Sequence, residues 1–502
     1  MKPGVLFALP LLLLYHAYTT RATDRCDDSA EISPRSVSPF PPFDANYASI
    51  LRYRRSFGVN LGSVFVSEKW MSPSIFPPNA TSELDVASGW GSTSCASQIL
   101  ENHWATSITE QDLYNLRSIG INSVRIPIGY WTLCGAQPEL CENTAFESVA
   151  AVYTNAWSYL VDLINLAAEY DIGVLVDLHG APGSQNGQPH SGISDRHTGM
   201  FSDSASWDKT IDVLKFLAEQ LCEVTNVVGI EVLNEPANDK QLWNFYTQAI
   251  DAMRSVSSCA QTLPLYIHDA FDLQRYAPFV AQRNDFVVLD HHSYFVFTAE
   301  ESNESASNLT QKLLTVVQPT LANPSLRGNL VIDEWSCALT PRSLSYESDP
   351  QAARKTFCET QQAVYQNTSA GWSFWSLHLE QCHADWCFTA AVGRALPATF
   401  FPQKSYALDN GGGRSRRDEV EHRFAVIAAR WKRDSGDPHQ RSWNLGYSDG
   451  METGGRFAAA GSQLGFVGQF MLEQIQMHGQ DVTPGTEPDY QDGFREGLSD
   501  SQ

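Results

Sequence analysis

Apolar residues along this chain come in two rhythms: short unbroken runs, and longer stretches in which they recur every three or four positions. Short β-branched runs bounded by turn residues read as strands buried on both faces, and the second rhythm reads as amphipathic helix. Residues 57–61, 123–128, 172–178, 227–236, 265–268, 286–290, 329–335 and 372–377 are of the first kind. Helical spacing flanks them at residues 108–119, 146–170, 207–221 and 242–256. Eight strands alternating with helices predict a parallel sheet, and the count favours an α/β fold closed into a (β/α)8 TIM barrel. An open doubly wound sheet is the alternative; it would carry a glycine-rich phosphate turn after its first strand, and Asn60-Leu61-Gly62-Ser63 is not one.

Two of these runs end in carboxylates. Residues 227–236 finish in Asn234-Glu235-Pro236, and residues 329–335 finish in Asp333-Glu334-Trp335. Proline stops a strand ladder, which places Asn234 and Glu235 at the strand's C-terminal mouth. The competing reading is a helix start, with Glu235 and Asp239 acidic in its first turn. Two glutamates delivered by different strands are what glycoside hydrolysis needs.

Outside the periodic region, residues 1–22 show Lys2, an apolar run and then small residues, the pattern of a secretory signal. Residues 23–55 are rich in Pro and Ser and read as an arm packed on a domain that runs to residue 410. Residues 411–441 open with Gly411-Gly412-Gly413 and stay polar, as a mobile insertion would. Residues 442–502 read as a terminal helical segment against the barrel, periodic over 457–477, with the last twenty or so residues frayed.

Composition narrows the function. The 502 residues carry a net charge of −23, which repels phosphate backbones and argues against nucleic acid as a partner. No stretch reaches a membrane-spanning length. Asn79, Asn303, Asn308 and Asn367 begin N-glycosylation sequons, and the ten cysteines are an even number, so the chain reads as secreted to the extracellular space or cell wall. Cys134 with Cys141, and Cys382 with Cys387, are close enough to close small loops; the other pairings are unreadable. No metal-ligand spacing occurs, and neither a metal nor a cofactor is expected; a monomer is.

In a barrel the C-terminal rim is the active face, where residues ending different strands converge. Arg125, His179, Asn234, Glu235, His292, Tyr294, Glu334 and Trp375 fall there, a polar sugar site with an aromatic platform. Glu235 is expected as general acid/base, its pKa raised by burial and a neighbouring negative charge. Glu334 is expected as nucleophile, held ionised by Arg125 and Tyr294, with Asn234 donating to the sugar's 2-hydroxyl. Bland alternatives exist for each: Arg125 as a buried ion-pair partner, His179 and His292 as satisfied core histidines, Trp375 and Trp335 as core. Their joint placement at strand ends favours the site.

The chain resembles glycoside hydrolase family 5, specifically its secreted fungal-type exo-β-1,3-glucanases. The resemblance runs over residues 57–380 and rests on Gly58-Val59-Asn60-Leu61-Gly62 with Glu68 and Trp70, Arg125-Ile126-Pro127-Ile128-Gly129-Tyr130-Trp131, Asp177-Leu178-His179-Gly180-Ala181-Pro182-Gly183-Ser184-Gln185-Asn186-Gly187, Asn234-Glu235-Pro236, Asp290-His291-His292-Ser293-Tyr294 and Glu334-Trp335-Ser336. It implies the barrel, a retaining mechanism without metal, a β-glucan substrate and a sugar-binding role for Glu68. Three departures bear on substrate. Gln188-Pro189-His190 stands where an aromatic followed by Asp-Asn is usual, leaving Phe297 as one half of an aromatic clamp. Trp375-Ser376-Leu377-His378 replaces Trp-x-Trp-Lys, and Ser63-Val64-Phe65 replaces Gly-Trp-Leu. The same machinery on a β-1,6-glucan or another β-glucoside is therefore an alternative, and a non-catalytic wall glucan-binding protein is one of another class.

Overall fold

A computed structural model describes Cys26, residues 31–400 and residues 437–501. Eight strands form a closed barrel in sequence order: β1 (Ser56–Asn60), β2 (Ser123–Gly129), β3 (Gly173–Gly180), β4 (Val227–Glu231), β5 (Leu265–His268), β6 (Val287–Ser293), β7 (Leu330–Trp335) and β8 (Gly371–Phe374). Each is parallel to the next, and β8 closes on β1 through Phe57–Trp372 and Val59–Phe374. The apolar runs thus lie where the pattern predicts strands. Their ends differ most in three places: β4 stops at Glu231, β6 runs on to Ser293, and β8 stops at Phe374, one residue before Trp375.

Helices cover the outside. Glu110–Ser118, Ser204–Leu221 and Leu242–Ser255 match the predicted periodic stretches. The stretch at 146–170 is broken into a 3-10 turn, Glu147–Tyr153, and a helix, Ala156–Glu169. Asn155 makes the break: its carboxamide accepts from Arg35 N (2.7 Å) and donates to Ser33 O and Glu101, fastening the N-terminal arm. That arm ends in a helix the sequence reading lacks, Ala45–Tyr53, capped by Asp44 and burying Ile50, Leu51 and Tyr53.

The floor of the barrel is closed by C-terminal helices. Phe466, Phe470, Tyr490 and Phe494 pack with Leu175, Val228, Tyr266 and Val331 from the strands' N-terminal ends. The periodic stretch at 457–477 is divided between Pro438–Ala459 and Val467–His478, with Gly461 and Gly465 between them. The expected fraying is incorrect: Glu487–Asp500 is a helix with Tyr490 and Phe494 fully buried. Its polar composition hides the reason, which is small residues at the crossing; a Cβ on Gly446, Gly450, Gly493 or Gly497 would lie 2.0–2.2 Å from a backbone oxygen of the opposing helix. The proposed insertion at 411–441 lies outside the described residues up to 436, and its last residues belong instead to the helix that starts at Pro438. The signal at 1–22 also lies outside them.

All ten cysteines are paired: Cys26–Cys95, Cys134–Cys141, Cys222–Cys259, Cys337–Cys358 and Cys382–Cys387. Among the described residues no helix is long and apolar enough to cross a membrane.

The helix crossing makes a paired prediction. Gly450→Ala should destabilise by about 1–3 kcal/mol through overpacking against Phe494 O. Gly455→Ala, with nothing near its Cβ, should stabilise by about 0.5–1 kcal/mol. Thermal unfolding of both variants checks this; equal shifts would contradict the close crossing.

Candidate active site

The loop after β4 carries the first glutamate in an unusual backbone. Asn234 N donates to Leu178 O (3.0 Å), and Glu235 then turns into the left-handed region at φ +38°, a conformation that non-glycine residues hold only when their surroundings enforce it. Two side chains from the loop after β3 enforce it. Gln185 Nε2 donates to Asn234 O (3.0 Å), and Asn186 Nδ2 donates to Glu235 O (3.0 Å). The next helix begins only at Leu242, so the helix-start reading of Glu235 and Asp239 falls away.

β7 presents the second glutamate. Glu334 Oε1 accepts from Arg125 Nη1 (2.9 Å) and Oε2 from the Tyr294 hydroxyl (2.8 Å). Because His292 is in register with Glu334 across β6 and β7, its ring reaches both glutamates. His292 Nδ1 lies 2.7 Å from Glu235 Oε1 and 3.5 Å from Glu334 Oε2, and its Nε2 lies 3.0 Å from Asp290 Oδ2.

Arg125 and Asn234 sit beneath this pair. Arg125 is 0% exposed and lies within β2 rather than at its end. Four hydrogen bonds hold it, from Nε to Glu231 (2.7 Å), from Nη1 to Asn60 (3.0 Å) and Glu334, and from Nη2 to Asn234 Oδ1 (2.8 Å), and Nη2 also makes an ion pair with Asp177 (3.1 Å). The guanidinium is buried and does not line the cavity above it, so the expected substrate contact of Arg125 gives way to an ion-pair role under the glutamates. Asn234 is fully buried too, its Nδ2 facing His179 Nε2 at 3.3 Å.

A cavity of about 900 Å³ opens above, lined by Glu68, His179, His292, Tyr294, Phe297 and Trp375 together with both glutamates. Trp375 stacks on His179 with 5.8 Å between centroids, and Phe297 stands 73% exposed at the mouth. Glu68 Oε2 accepts from Trp70 Nε1 (2.8 Å). Gln188 lines the same cavity, where the family resemblance leads one to expect a ring. Sequence reasoning missed Trp386, which packs against Trp70 (5.5 Å), Tyr294 (5.4 Å) and Phe297 (6.2 Å). The signal was present, since Trp386 lies inside the loop closed by Cys382 and Cys387. It also missed His190, whose ring meets His179 in the cavity wall.

The electrostatics of the unliganded site differ from expectation. Burial pushes the Glu235 carboxyl up, but the hydrogen bond and charge of His292 hold it well below the usual range. Burial raises Glu334 to about 7, against the pull of His292 and Arg125 and with the charge of Glu235 adding to the rise. His292 is raised: burial opposes its charge, yet Glu334 and Asp290 outweigh that. The neighbouring charge thus acts on Glu334 rather than Glu235, because the imidazolium is closer to Glu235.

Glu235, His268 and His292 also bring nitrogen and oxygen atoms within 4.8 Å of one another. They do not form a cation site: His268 Nδ1 accepts from Ala270 N (3.0 Å), so Nε2 bears the hydrogen and has no lone pair to offer.

Removing Arg125 should strand three buried carboxylates. Arg125→Met is expected to lose about 3–5 kcal/mol in urea unfolding at pH 7.5. The loss should shrink at pH 5, because stranded carboxyls acquire raised folded-state pKa values and bind protons more readily than in the unfolded chain. Wild-type stability at pH 7.5 would contradict the network.

Comparison with known proteins gives a consistent picture. The family model described as cellulase (glycosyl hydrolase family 5) matches residues 90–380. "Glucan 1,3-beta-glucosidase 3" of Schizosaccharomyces pombe is 31% identical over 443 residues, covering 84% of this chain and 90% of that protein. "Glucan 1,3-beta-glucosidase" of Kluyveromyces lactis is 34% identical over 302 residues, 56% of this chain and 66% of that protein. Among solved structures, the rutinosidase from Aspergillus niger superposes with a TM-score of 0.56 at 19% identity, covering 69% of this chain and 99% of that one, which supports the fold alone.

Proposed function

Since the chain belongs to glycosyl hydrolase family 5 and is a glycoside hydrolase, we propose that it is a retaining exo-acting glucan 1,3-β-glucosidase, with Glu334 as nucleophile and Glu235 as general acid/base. One observation carries the stereochemical part. Both glutamate oxygens lie on a single nitrogen, at 2.7 and 3.5 Å, so they are at most about 6 Å apart. That falls short of the ~6.5–9.5 Å an inverting site needs to admit water between its carboxyls and accommodates the ~5–5.5 Å of retaining sites.

Glu334 attacks the anomeric carbon while Glu235 protonates the departing oxygen, and a covalent glycosyl-enzyme forms. Water, deprotonated by Glu235, then releases the sugar with its original configuration. His292 Nδ1 donates to Glu235 Oε1 at 2.7 Å, which leaves Oε2 to carry the acidic hydrogen. Arg125 and Tyr294 keep Glu334 ready to attack by donating to its two oxygens. Asn234 is the donor for the 2-hydroxyl; Trp375 is the platform for the bound sugar ring, with Glu68, His179 and His292 among its polar walls. Phe297 supplies a ring for the next sugar.

The β-1,3-glucan substrate rests on the named relatives. Export to the extracellular space or wall fits the five disulfides, which persist in oxidising compartments, and the exposure of Asn79, Asn303, Asn308 and Asn367.

The test is hydrolysis of β-1,3-, β-1,4- and β-1,6-linked glucose oligosaccharides with the product anomer followed by NMR. Preferential release of β-glucose from the β-1,3 series is expected. First-formed α-glucose would overturn the retaining assignment, and preference for β-1,6 links would overturn the substrate.

A further inference from the structure

His190 stands at the place where the family resemblance leads one to expect an asparagine, and the structure gives it a defined hydrogen-bonding state. Asp177 Oδ2 is paired with Arg125 (3.1 Å) and accepts from His179 Nδ1 (2.7 Å), so His179 Nδ1 bears the ring's hydrogen. His179 Nε2 is then an acceptor, facing Asn234 Nδ2 (3.3 Å) and His190 Nδ1 (3.2 Å). His190 must therefore carry its hydrogen on Nδ1 and offer a lone pair at Nε2. Asn186 says the same from the other side, since its Nδ2 points at His190 Nε2 at 3.4 Å. Burial and the adjacent His179 lower the basicity of His190 and keep it neutral.

Glu235 Oε2 lies 3.9 Å from that nitrogen, near enough to compete with the long contact from Asn186, while Glu235 Oε1 is held by His292 at 2.7 Å. The two histidines make opposite demands. His292 donates, which favours the ionised carboxylate. A neutral His190 can only accept, which favours the carboxylic acid once Oε2 moves closer by about 1 Å, a tightening of the kind catalytic hydrogen bonds undergo on substrate binding. We propose that His190 is a positioning residue that accepts the acidic hydrogen of Glu235 and so holds the general-acid form, with the hydrogen on the oxygen turned away from His292. This rests on the reading of Glu235 as the acid.

The prediction for pH has a definite sign. An acceptor for the protonated form raises the pKa of Glu235, so removing it moves the alkaline limb of kcat/KM to lower pH. Besides His179 and His190, Glu235 faces His292 from β6, His268 from β5 and Glu334 from β7. Glu68 after β1 and Tyr294 after β6 also face it.

The experiment compares kcat/KM against pH for His190→Ala and His190→Gln on laminaribiose, whose leaving group needs a proton, and on 2,4-dinitrophenyl β-glucoside, whose leaving group does not. For His190→Ala the loss on laminaribiose should exceed the loss on the activated glucoside by about tenfold, with the alkaline limb shifted down. His190→Gln, whose carboxamide oxygen can accept, should recover part of it. Equal losses on both substrates, or a limb that stays or rises, would overturn the proposal. Glu235→Gln is the control: if it fails to discriminate between the two substrates, the acid assignment itself fails, whereas discrimination by Glu235→Gln but not by His190→Ala removes only the role of His190.

Discussion

The Arg125 guanidinium has no access to water and pairs with five side-chain oxygens from different parts of the barrel, four by hydrogen bonds and Asp177 by charge. A buried cation is tolerable only when fully paired, and these partners come from β1, β3, β7, the end of β4 and the loop beyond it. One side chain thus sets the spacing of Asn60, Asp177, Glu231, Asn234 and Glu334. A fold that displaced any of these elements would leave charge unpaired in the core. Arg125 therefore acts as the keystone between barrel closure and the geometry of the reacting carboxyls.

Above it the site works by unequal sharing of protons. His292 lies closer to Glu235 than to Glu334, so in the unliganded enzyme it favours an ionised Glu235 and leaves the proton affinity of Glu334 high. In the proposed mechanism the roles reverse when substrate binds: Glu235 carries the proton and Glu334 is the ionised carboxylate. The left-handed turn at Glu235, clamped by Gln185 and Asn186, keeps the carboxylate between its two histidines.

Much of this was legible in the sequence because the physics is local. Eight apolar runs are short, buried on both faces and separated by helical spacing, and each became a strand. Glu235 and Glu334 stood out because a carboxylate at the end of such a run is costly unless used. What escaped needed information from across the barrel. Arg125, Asp177, Glu231, Asp290 and Asp333 are charges inside apolar runs, and pairing them requires knowing which strands are neighbours. Trp386 and His190 lie on loops whose paths no periodicity reports. The C-terminal helix escaped because its glycines look like breakers, whereas here they permit backbones to meet. The sign of the Glu235 shift was misread because it depends on a single distance to His292.

The central claim is that Glu334 attacks the sugar from the face opposite the leaving group, and azide rescue tests it most directly. Glu334→Ala should lose turnover of an activated β-glucoside, and added azide should restore part of it by occupying the vacated face, giving the α-glucosyl azide. Near-normal hydrolysis by the variant without azide, or a rescued product of β configuration, would contradict the account.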